Sequence, residues 1–152
     1  MAKQYYEPHS DIKDIFDKVI QTTGLNHKIG IGLLSDNDLG VIAEVKKGNP
    51  VYYYRTKIDV DIIINESIFE GIPLELQPLV AEEILCPISV NPESGSATIS
   101  KPDFATFSGF IKKYSVEQVE LMREVIKSLF DKKAEEERKR KDASTKIKMN
   151  KK

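Results

Sequence analysis

A chain of 152 residues, 40% of them apolar, is long enough for one domain with a modest core. Its formal charge of −1 excludes a strong overall attraction to nucleic acid or membrane, so any such contact falls to a local patch. A single cysteine excludes an internal disulfide, and the absence of a signal-like N-terminus or a run near ~20 apolar residues sets a cytoplasmic, non-membrane expectation.

The first element reads as a helix. Ser10 suits the N-cap, and Ile12, Ile15, Phe16, Val19 and Ile20 form one apolar stripe at helical spacing until Gly24 stops it. Two short strands follow, over 28–34 and 41–46. The polar segment Ser35-Asp36-Asn37-Asp38-Leu39-Gly40 between them predicts a hairpin. Gly30 and Gly32, inside a strand pattern, predict a close backbone approach. A break at Gly48-Asn49-Pro50 leads into Val51 to Arg55, read as extended chain and containing the run Tyr52-Tyr53-Tyr54-Arg55. At most two of three successive strand tyrosines share a face, so packing is preferred there over stacking on single-stranded nucleic acid. The alternating strand Ile58-Asp59-Val60-Asp61-Ile62-Ile63-Ile64-Asn65 completes a mixed or mostly antiparallel sheet.

Ile68-Phe69 and a Pro73-led start introduce a short helix running to Cys86. Pro78 falls in its opening turn, where amides lack intrahelical partners, and Pro87 ends it. Strands Ile88-Ser89-Val90 and Ser96-Ala97-Thr98-Ile99 form a hairpin around residues 91–95. Asp103 suits the N-cap of a helix holding Phe104, Phe107, Phe110 and Ile111. Ser115-Val116-Glu117-Gln118 has the capping-box form and opens the longest helix, with Val119, Met122, Val125, Ile126, Leu129 and Phe130 as its apolar stripe. Residues 131–152 carry ten Lys or Arg against five Asp or Glu, a net +5, which leaves about −6 on the first 130. Such a run reads as a solvated helix end fraying into disorder. The sharper alternative is an arm for nucleic acid or an acidic protein surface, with Arg138, Lys139, Arg140, Lys141, Lys146 and Lys148 as contacts.

The segment Leu79-Val80-Ala81-Glu82-Glu83-Ile84-Leu85-Cys86 carries the only chemistry-bearing pattern. Positions 82 and 86 are i and i+4 on one helix face, the spacing by which H-E-x-x-H aims two ligands at one zinc ion. Glu83 stands where that motif has its general base, while both imidazoles are absent. Each residue also has a plainer reading: Cys86 as a small buried hydrophobe, the glutamates as solvent-facing or paired with a cation, and Asp103 as a cap. His9 and His27 lie well upstream and lack metal-ligand spacing.

The alternating strand ending in Ile64-Asn65, then Glu82-Glu83-Ile84-Leu85-Cys86, then Pro102-Asp103 before a Phe-containing helix, resembles the zincin-like metallopeptidase family of tailed bacteriophages. The resemblance spans roughly residues 52–114 and rests on element order and short motifs. It implies a minimal zincin-like architecture. Glu82 and Cys86 stand at the two histidine positions, Glu83 at the general base, and Asp103 in the Pro-Asp element. A Glu82, Cys86 and Asp103 set could hold zinc, but more negative charge than a His₂ site makes the ion a poorer Lewis acid.

The resulting expectation is an α+β protein: a small mixed or antiparallel sheet with packed helices over 1–130, then a charged helical extension and basic tail over 131–152. Its expected role is that of a non-catalytic phage protein acting as a structural or accessory interaction component, with head or portal assembly as the natural setting. Its partners are other phage proteins or further copies of itself, in the host cytoplasm and the virion. No cofactor is expected. The alternatives are a metal-dependent peptidase with atypical ligands, which would require zinc, and a small nucleic-acid-associated regulator using the basic tail.

Overall fold

The computed structural model describes residues 4–100 and 108–150, without the side chains of 108, 109, 111 and 144–150. Helix α1 (Ser10–Thr23) begins one residue earlier than the capping pattern suggests. His9 is the N-cap, its Nδ1 accepting from the Asp11 amide at 3.3 Å, and Gly24 closes the helix in the left-handed conformation. Ile12, Phe16 and Ile20 of the foreseen stripe are buried.

Strands β1 (Ile31–Ser35) and β2 (Ala43–Lys47) do not form the expected hairpin. Both pair instead with β3 (Val60–Ile64), β1 in parallel and β2 antiparallel, giving the sheet order β1-β3-β2. The reason is burial. In β3, Val60, Ile62, Ile63 and Ile64 are all nearly or wholly inaccessible, so this strand needs a neighbour on each side. The segment between β1 and β2 therefore passes over the end of β3. There the Asp36 amide donates to the Ile64 carbonyl and the Asn65 amide to the Ile42 carbonyl.

The tyrosine run is also corrected. Residues Pro50–Thr56 are helix α2, because Asn49 caps the Tyr52 amide at 2.8 Å and Pro50 occupies the first turn with its φ already set. That cap overrides the β preference of the tyrosines. Helix α3 (Glu66–Glu70) follows β3 directly. Helix α4 (Gln77–Leu85) starts later than Pro73 or Leu74, since 73–76 form a turn, and Pro78 lies in its opening turn as expected. Strands β4 (Ile88–Val90) and β5 (Ala97–Ile99) form the foreseen hairpin.

Helices α1 and α4 pack together over the sheet, and Phe16 meets Phe69 at 5.5 Å in a tilted pair at the centre of the core. Helix α5 (Ser108–Tyr114) contributes buried Phe110, while Asp103, Phe104 and Phe107 lie outside the described residues. Helix α6 (Val116–Asn150) lays Val119 and Met122 into the core. It does not fray after Phe130, remaining helical through Asn150. The architecture is α+β with a mixed sheet and a long C-terminal helix. Among the described residues no helix is long and apolar enough to cross a membrane.

Candidate functional site

Helix α4 is held by its apolar face. Val80, Ala81, Ile84 and Leu85 are buried, and Gln77 donates to the Phe69 and Ile72 carbonyls at 3.3 and 2.9 Å, fixing where the helix begins. This leaves Glu82, Glu83 and Cys86 half-buried on the side that α5 and α6 cross.

Both carboxylates are occupied there. Glu82 accepts from Lys113 Nζ at 2.7 Å and from the Tyr114 hydroxyl, while Glu83 meets the Arg123 guanidinium at 2.8 Å. The Glu82 carboxylate bonded to Lys113 raises the pKa of that lysine. Tyr114 is raised first by burial, then by its bond to Glu82. Lys113 and Arg123 are substantially exposed, so each ion pair is worth no more than about 1 kcal/mol. Their value lies in geometry: one acidic pair on α4 ties down both C-terminal helices.

Cys86 sits one turn on, its Sγ donating to the Glu82 carbonyl at 3.3 Å. Burial, then the charges of Glu83 and Glu82, push the thiol up from the usual 9.0 to about 11. A metal site would need the thiolate and free carboxylate lone pairs. Here the sulfur is a hydrogen-bond donor and both Glu82 oxygens are bonded to α5. Asp103 lies outside the described residues, and no group of three His, Cys, Asp or Glu among the described residues stands close enough to hold a metal ion. Among the described residues, then, Glu82, Glu83 and Cys86 are each engaged with partners from the protein itself.

The thiol's environment makes a direct prediction. At neutral pH Cys86 should react with iodoacetamide far more slowly than a free thiol, its rate rising until the pH passes about 11. The folded chain holds this proton more tightly than the unfolded one. Between 9.0 and about 11, stability should therefore fall as pH rises, and Cys86→Ala should flatten that slope in pH-dependent urea melts. Rapid labelling of the native chain at neutral pH would refute the assignment.

The sequence pattern located Glu82, Glu83 and Cys86 on one helix but not their partners. Lys113, Tyr114 and Arg123 lie 31, 32 and 40 positions away along the chain from the carboxylates they meet, and no local signal selects them from the other cations. Of the tail contacts, Arg138, Lys139, Arg140 and Lys141 are exposed on α6, and Glu135 meets Lys139 at 3.5 Å one turn on. Lys146 and Lys148 are on the same helix, with side chains outside the described ones. Comparison with protein-family models, curated proteins and solved structures finds no match for this chain.

Proposed function

We propose that this chain is a non-catalytic interaction protein whose body anchors α6 as a docking arm. The observation that carries this reading is the double capture of Glu82 and Glu83 by α5 and α6. The two carboxylates that a metallopeptidase would direct at a metal and a water instead fix the helices leading into the arm. Helix α6 spans about 50 Å at 1.5 Å per residue, and from Ala134 to Ala143 every residue is exposed. The expected boundary at 130 thus falls within one helix, between its packed part and its solvated part. The arm's net positive charge against the body's negative charge favours an acidic protein surface as partner.

The resemblance to the phage metallopeptidase family makes a particle, at its head or portal vertex, the first setting to test. Purified particles should contain the full chain at a fixed copy number by quantitative mass spectrometry. A chain lacking residues 131–152 should fold yet be excluded. Absence of the full chain from particles would dispose of the virion setting, and normal incorporation of the truncated chain would dispose of the arm.

A further inference from the structure

Helix α2 is unlike the other α-helices of the body in that none of its residues is buried. It nevertheless carries four large apolar or aromatic side chains in sequence. Tyr52 is its anchor: a Cβ on Gly48 would lie 2.7 Å from the Tyr52 ring, and burial, then the nearby Asp61 carboxylate of β3, raise the tyrosine's pKa. Tyr53 and Tyr54 have no such role, standing 43% and 78% exposed outside the core.

These two rings are organised from one side by a cation. Lys57 ends α2 with a positive φ of 60°, a conformation uncommon for a lysine, and its Nζ lies 5.3 Å from the Tyr53 ring centroid and 5.4 Å from that of Tyr54. Arg55 is exposed on the same helix. Lys46 and Lys47 end β2 just before Gly48, and Lys28 precedes Gly30, whose backbone abuts Lys57. Two of the acidic neighbours are engaged: Glu44 with Lys46 at 3.8 Å and Asp59 with the Gly30 amide at 2.7 Å. The result is an excess of cations around two open aromatic faces, on a body whose overall charge is negative.

The geometry points to α2 as a stacking platform for single-stranded nucleic acid, with Tyr53 and Tyr54 receiving bases and Arg55, Lys57 and the β2 lysines meeting phosphates. Base faces are open to such rings only when unpaired, and stacking on tyrosine is tolerant of sequence. Duplex DNA offers phosphates but no free base faces, so the rings select against it. This surface is independent of the α6 arm.

The test is fluorescence anisotropy of the full chain with a fluorescein-labelled oligothymidine of roughly a dozen nucleotides, the scale of a typical single-strand site. Binding is expected at about 50 mM salt and should weaken steeply as salt rises. Tyr53→Ala with Tyr54→Ala should weaken it about a hundredfold, roughly tenfold for each lost stack, whereas the paired Phe substitutions should keep it near wild type. Arg55→Ala with Lys57→Ala should lower the salt slope by about 1.4, roughly 0.7 for each lost phosphate contact on a single strand. All four positions are exposed, and circular dichroism should confirm that each variant folds. The inference is overturned if the wild-type chain does not bind the strand, if the double alanine variant binds as well as wild type, or if duplex competes equally. Binding that disappears with residues 131–152 while ignoring the two rings would equally overturn it, assigning the interaction to the arm.

Discussion

Gly30→Ala should cost about 3 kcal/mol of folding stability, enough to lower the melting temperature by roughly 10 °C in a domain of this size. A Cβ built on Gly30 would lie 2.0 Å from the Lys57 carbonyl oxygen, a contact no side-chain rotation relieves because both atoms belong to the main chain. The backbone there is heavily committed. The Gly30 amide donates to Asp59 Oδ2 at 2.7 Å, and its carbonyl accepts from the Asp59 and Val60 amides at 2.8 and 3.2 Å. Moving Lys57 away would therefore strain the start of the β1–β3 pairing and tilt α2 with its tyrosines. Gly40→Ala is the control: nothing lies within 4 Å of its Cβ, so the change should be neutral to within about 0.5 kcal/mol. Urea melts of the two variants compare them directly. A Gly30→Ala protein as stable as wild type would refute the close approach.

The two glycines in the strand pattern were legible as a sign of tight backbone packing, yet what they pack against was not. The same division runs through the chain. Local signals placed the α1 stripe, the β4–β5 hairpin, and the stop of α4 before Pro87, because each depends on residues within one or two turns of each other. The sheet order was not accessible in that way. The polar segment 35–40 looks like a hairpin turn, and only the need of β3 for two neighbours turns it into a crossing. For α2 the correct signal was present in Asn49-Pro50, but three tyrosines suggested extended chain. The candidate site shows the same limit. Its α4 residues follow from helical periodicity, whereas the cations that occupy them arrive from α5 and α6 through folding alone.

Asn65 belongs to the motif on which the phage-family resemblance rests, and its expected effect on stability rivals that of Gly30. Its side chain is wholly buried and does three things. Oδ1 accepts from the Ser67 hydroxyl at 2.8 Å and from the Ile68 amide at 3.3 Å, capping α3, while Nδ2 donates to the Leu39 carbonyl at 2.8 Å and holds the crossing segment. An Ile-Asn pair closing this strand thus has a structural purpose that involves no metal. Asn65→Ala removes a cap worth about 1 kcal/mol and strands the buried partners of both ends, so a loss of about 3 kcal/mol is expected. Asn65→Asp separates the two roles. It keeps the cap acceptor but sets a carboxylate against the Leu39 carbonyl, and burial should raise its pKa. A proton retained only in the folded state means that the deficit of the aspartate variant relative to wild type should grow as pH rises above about 4 and shrink in acid. Parallel urea melts at several pH values measure that gap. If it does not change with pH, or if the alanine variant melts like wild type, Asn65 is not the tie between α3 and the crossing segment.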